Sequence, residues 1–183
     1  KYGAWINDSI LLRWAKFTEK IMAQNGENFS TGDVITLLSV DHIQERETQL
    51  MRKLYDQFKI NTGQLTSVWS RSSLHTYEVD HVMPYSVYGN NDLWNLLPAS
   101  RKENNAKRDA LVTTDLVKHN SDTIFNYWEF MKDQLGMRFE HEIYTSFDID
   151  PLVSTWKESL LGGVCEQLEI TASIRGLKRW SGL

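Results

Sequence analysis

Asp80 and His81 stand side by side, Asn95 and Asn104 follow, and Arg101, Lys102, Lys107 and Arg108 surround the second asparagine. Hydrolysis of a phosphodiester needs hard oxygen ligands for a divalent cation, a base to deprotonate water, and positive charge to hold the phosphate. Each requirement has a candidate here. Asp80 is a hard anionic ligand and the amide oxygen of Asn104 a neutral one, which leaves coordination positions to water and substrate oxygens. His81 is the natural base, because an imidazole with a pKa of roughly 6.5 is mostly neutral at physiological pH. General base catalysis typically contributes about 10²- to 10⁴-fold. On a helix, Arg101, Lys107 and Arg108 lie three or four positions from Asn104, so a metal ligand and phosphate-binding cations face one way.

These side chains need a strand, a loop, a second strand and a helix to hold them. Tyr77 and Val79 suggest the first strand, Gly89-Asn90-Asn91-Asp92 a turn, and Trp94 to Leu97 the strand that pairs back. Ser100 followed by Glu103 has capping-box spacing and opens a helix running to about Arg108. Adjacent residues of a regular strand point to opposite faces, so Asp80 and His81 reach one ion only if the strand ends or distorts there. Pro84, which cannot donate a ladder hydrogen bond, fits such an exit. The side-chain amide of Asn95 is suited to bond loop backbone and fix where His81 points.

The pattern D-H-x-x-P-x-S, then N-L, then N-x-x-K resembles the HNH (ββα-metal) nucleases. The gaps between Asp80-His81, Asn95 and Asn104 are similar to those of the HNH domain of RNA-guided CRISPR nucleases, whose third signature position is also Asn. The resemblance implies His81 as general base, Asp80 and Asn104 as metal ligands, Asn95 as the loop-fixing residue, and Mg2+ or Mn2+ as the cofactor. It implies a nucleic-acid substrate, DNA before RNA, cut to leave 5′-phosphate and 3′-hydroxyl ends. It covers Thr66 to Asp109 at most. Many family members carry Cys-x-x-Cys knuckles for a structural zinc; this chain has one cysteine, Cys165, so no structural zinc is expected. The expected fold is therefore α+β, a ββα-metal hairpin and helix (about residues 66–109) wrapped by helical flanks (1–65 and 110–183) in a single domain, mostly helical overall. The competing reading is a non-catalytic nucleic-acid or partner-binding module on the same scaffold, since fold and motif do not guarantee turnover. The complete set of four residues argues against it.

Composition narrows the field. The 183 residues, 41% of them hydrophobic, suffice for one well-cored domain. No run of eighteen apolar residues and no signal peptide is visible, so no membrane partner and a cytoplasmic location, prokaryotic or phage, are expected. A first residue of Lys1 is compatible with a piece of a longer protein. A formal charge of −4 and a pI near 5.7 argue against indiscriminate coating of nucleic acid, so contacts should be local. The basic helix is one patch; Arg175, Lys178, Arg179 and Trp180 form a second candidate, with a solvated helix end as the equal alternative. Targeting is expected from other domains or subunits, because the flanks carry no base-reading module. The role served, such as restriction or phage defence, is not legible in these residues.

Along the chain, Asp8 is a good N-cap for an amphipathic helix bearing Ile10, Leu11, Trp14, Phe17, Ile21 and Met22 toward a core and closing at Asn25-Gly26. Val34 to Val40 fits a short helix or a strand. Asp41-His42 repeats the active dipeptide, but no asparagine pair follows it, and Asp41 fits better as the N-cap of a helix through Phe58. Ser67 to Ser70 reads as a short strand. Trp69 and Trp94 suit packing beneath the hairpin better than stacking on bases, and His75 fits either the surface or a phosphate contact. A helical stripe from Ile124 to Leu135 ends before Gly136. His141-Glu142 lacks the second histidine of a zinc-protease motif. Asp150-Pro151 suggests a last helix start, with Gly162-Gly163 weakening that helix.

Overall fold

The computed structural model describes residues 3–26, 30–34 and 48–183, and the chain divides by its internal contacts into Lys1–Ile43 and Gln44–Leu183. In the first unit, helix α1 (Gly3–Gln24) is already formed five residues before Asp8, where the sequence suggested an N-cap. It closes at Asn25-Gly26 as expected, with Gly26 at φ 81°. Its aromatic stripe does not face a core: Ile10, Trp14, Phe17 and Ile21 are exposed and Ala15 is buried. Asp41-His42 and all but the first residue of the Val34–Val40 segment lie outside the described residues.

The second unit is a mostly helical α+β fold. Helix α2 (Thr48–Thr62) ends at Gly63, whose φ of +80° suits a residue without a Cβ. Strand β1 (Glu78–His81) pairs antiparallel with β2 (Leu96–Ala99), with Asp80 opposite Leu97 and His81 opposite Leu96. Between them come a one-turn helix α3 (Tyr85–Tyr88) after Pro84 and a 3-10 turn at Leu93–Asn95. Helix α4 (Arg101–Lys107) carries the full capping box: Glu103 N–H donates to Ser100 Oγ, and Ser100 N–H donates to Glu103 Oε2 at 2.8 Å. Strand β1, strand β2 and α4 are thus the expected hairpin and helix, except that the return strand, expected over Trp94 to Leu97, runs from Leu96 to Ala99 because Trp94 and Asn95 belong to the 3-10 turn.

Around them pack α5 (Thr114–His119), α6 (Ser121–Phe147) and α7 (Trp156–Arg175). A second small sheet joins β3 (Leu111–Val112) in parallel to β4 (Arg179–Trp180), returning the end of the chain beside the segment that leaves α4. One apolar cluster runs through the unit, including Tyr55, Trp69, Leu96, Leu97, Tyr127, Trp128 and Leu168. Burial of such residues is the main favourable term in holding the layers together.

Several local expectations are corrected. Ser67 to Ser70 is a turn rather than a strand, because Ser67 Oγ accepts from the Trp69 and Ser70 amides and Arg71 adopts φ 58°. The helix expected to end before Gly136 continues to Phe147 through a kink at Leu135 (φ −132°, ψ 41°). Asp150-Pro151 starts a turn, not the helix: Asp150 Oδ1 accepts from the Leu152 amide, and α7 begins at Trp156. Gly162-Gly163 lies within that continuous helix.

Candidate active site

Strand β1 ends at His81, and the next backbone amide, Val82, bonds to the Asn95 carbonyl at 2.8 Å. Asp80 and His81 both stay in ladder register with β2, opposite Leu97 and Leu96, and both line one pocket of about 270 Å³ with Asn104, Asn105, Lys107 and Arg108 from α4 and Pro84, Tyr85 and Ser86 from the loop. Asn95, fully buried, accepts from the Met83 amide at 2.7 Å and donates to the Met83 carbonyl at 3.1 Å. Its side chain therefore clamps the loop just after His81, where sequence reasoning put it.

Asp80 is 3% exposed and both of its carboxylate oxygens are engaged. Trp69 Nε1 donates to Oδ2 at 2.7 Å, and Lys107 Nζ donates to Oδ1 at 3.0 Å and to the His81 carbonyl at 2.5 Å. Lys107, expected as a phosphate contact, is 1% exposed and committed to this ion pair. The sequence places it three positions from Asn104, but in the fold it shares the buried side of α4 with Glu103, while Arg101 and Arg108 stay exposed. Of the other cations, Arg108 is exposed and lines the pocket, whereas Arg101 and Lys102 are exposed beyond its lining. In the second basic patch Arg179 pairs with Glu169, Arg175 donates to the Val87 carbonyl at 2.8 Å, and Trp180 is buried. His75 is exposed, and its carbonyl accepts from Lys59.

Three residues of the apparent turn contribute more than turn geometry. His81 Nε2 lies 3.0 Å from Asn91 Oδ1, and Asn91 is 5% exposed. Asn90 accepts from Asn95 Nδ2 at 3.2 Å and donates to Asp92 at 2.7 Å. Asp92 also accepts from Trp94 Nε1 at 2.9 Å and from Ser146 Oγ of α6 at 3.0 Å. Glu142, the acid of the rejected zinc-protease motif, accepts from the Leu93 amide at 2.6 Å. Burial pushes its carboxyl up against the lowering effect of that bond and of Arg138. The run of asparagines before Asp92 was the available signal, because amide side chains can bond a site as well as close a turn.

The donor set suits a hard divalent cation. An ionised carboxylate has about four acceptor positions, so one bond on each Asp80 oxygen leaves capacity, and Asn104, half-buried on the same pocket, adds an amide oxygen. Among the described residues no group of three or more His, Cys, Asp or Glu could hold a metal, so an ion here would keep several waters, as Mg2+ does.

Residues 54–113, about a third of the chain, match the family model described as HNH endonuclease. The match supports an HNH-family assignment, and with it nuclease activity in general. Searches of curated proteins and of solved structures found no match. No described helix is long and apolar enough to cross a membrane.

Proposed function

We propose that this chain is a metal-dependent endonuclease that hydrolyses phosphodiester bonds of nucleic acid, DNA by its likeness to the HNH domain of RNA-guided nucleases, with His81 as general base and one Mg2+-like ion held by Asp80 and Asn104. The observation that carries the reading is that Asp80, His81 and Asn104, 24 positions apart from first to last, line one pocket between a strand end and a helix. The ion would supply Lewis-acid stabilisation of the transition-state charge, worth several kcal/mol. His81 takes the proton from the attacking water. Asn95 holds the loop that carries His81, through the Met83 backbone. Asp80 is kept in place by Trp69 and Lys107. Arg108 at the pocket, with Arg101 and Lys102 further along the helix, offers the positive charge for substrate phosphates. Sequence targeting is assigned to other domains or subunits.

The test is plasmid nicking in Mg2+ or Mn2+. His81→Ala is expected to abolish cleavage while the fold survives; full activity in that variant would refute the base assignment. Asp80→Ala and Asn104→Ala should weaken the dependence on metal, and unchanged activity at limiting metal would remove the ligand roles. Binding without cleavage by the unmodified protein in either metal would favour a binding module.

A further inference from the structure

We propose that Asn91 is a positioning residue that fixes the ring orientation and tautomer of His81. The inference rests on the base role proposed above for His81. The Asn91 carbonyl oxygen lies 3.0 Å from Nε2 of the ring, and both side chains are buried at 5% and 9% exposure. A carbonyl oxygen only accepts, so in the neutral ring Nε2 carries the proton and Nδ1 becomes the basic nitrogen. Without such a partner either nitrogen can hold the proton, and the basic one is in place for part of the time only.

The loop is built to hold Asn91 still. On its N-terminal side Asn90 is tied to Asn95 and Asp92, and on its C-terminal side Asp92 and the Leu93 amide are tied to Ser146 and Glu142 of α6. The Asn91 Nδ2 atom is buried with no hydrogen-bond partner. A buried amide with an unmet donor is a poor choice for stability alone, and its retained contact is the one to the imidazole. This pairs a cost to the fold with a gain at the site.

Long-range proton–nitrogen NMR correlation on the metal-free protein reads the tautomer directly, with His81 assigned by its loss in His81→Gln. At mildly alkaline pH, where imidazoles are neutral, the unmodified protein is expected to show a single His81 tautomer protonated at Nε2. Asn91→Leu should give a mixture, and Asn91→Asp, which keeps the accepting oxygen, should restore the single form. Cleavage by Asn91→Leu should fall about tenfold or more through kcat, with Mn2+ affinity unchanged. A proton on Nδ1 in the unmodified protein, or an unaltered tautomer ratio in Asn91→Leu, would overturn the proposal. Should Asn91→Leu not fold, the unmodified protein and Asn91→Asp still decide it. Retained cleavage in His81→Ala, with the tautomer behaving as stated, would remove the base role and leave the contact standing.

Discussion

Lys107 illustrates how the position of a charge decides its use. By spacing it belongs with Asn104, but in the structure it lies with Glu103 on the buried side of α4, where the ammonium meets Asp80 and the His81 carbonyl. Both partners of the pair are nearly inaccessible, at 1% and 4% side-chain exposure. Removing one member of a buried pair leaves the other charge without compensation, at a typical cost of about 3–5 kcal/mol. Lys107→Met is therefore expected to lose about that much stability in a denaturant titration, and a loss under about 1 kcal/mol would show that the pair is not isolated from water. Lys107→Arg should not recover the full amount, since a planar fork does not replace a compact ammonium in a packed site. Trp69 was read correctly as packing beneath the hairpin, yet its indole N–H also holds Asp80, which no sequence period announces.

Among the elements, α4 was legible to within a residue because its capping box is a local device: the hydroxyl and carboxylate that start the helix are three positions apart. The flanking helices were less so. Helix α6 passes through Leu135-Gly136 because its second half packs Phe139 and Ile143 into the core, so tertiary burial outweighs a local stop signal. In α7 the two glycines differ. A Cβ on Gly163 would lie 2.7 Å from Phe147 Cδ1, whereas one on exposed Gly162 would meet nothing within 4 Å. Gly163→Ala is expected to destabilise by about 1–3 kcal/mol through overpacking. Gly162→Ala should stabilise by about 0.5–1 kcal/mol, the usual gain over glycine in a helix interior. Thermal unfolding of the two variants separates these signs, and a stabilised Gly163→Ala would mean that α7 can move away from Phe147.

At the scale of the whole molecule, Glu103 joins distant parts of the second unit. Its carboxylate accepts from Ser67 Oγ at 2.7 Å, 36 positions away, as well as from Ser100. Burial pushes the Glu103 carboxyl up, but hydrogen bonds from Ser100, Ser70 and Ser67 outweigh it and hold the group below the ordinary glutamate range. The folded value is thus depressed relative to the unfolded one. Its contribution is present above the unfolded pKa of roughly 4.3 and is lost as pH falls through the folded value. Glu103→Gln should flatten the acid limb of the stability curve while leaving the protein weaker at neutral pH. An acid limb identical to that of the unmodified protein would locate the sensitive carboxylates elsewhere.

What the sequence determined by itself was the set of local devices: the Asp80-His81 pair, the Asn95 clamp on the loop, the capped α4 carrying Asn104, and the mostly helical α+β class. Each depends on residues a few positions apart, or on a spacing that the strand and helix periods translate into geometry. Only the tertiary structure decided that Lys107 serves Asp80 rather than solvent, that Trp69 donates to the same carboxylate, that Asn91 reaches the His81 ring, and that the last strand, β4, lies beside β3. Those relations join segments 10 to 68 positions apart. Burial and loop closure fix them together, and neither leaves a repeat or a period in the chain.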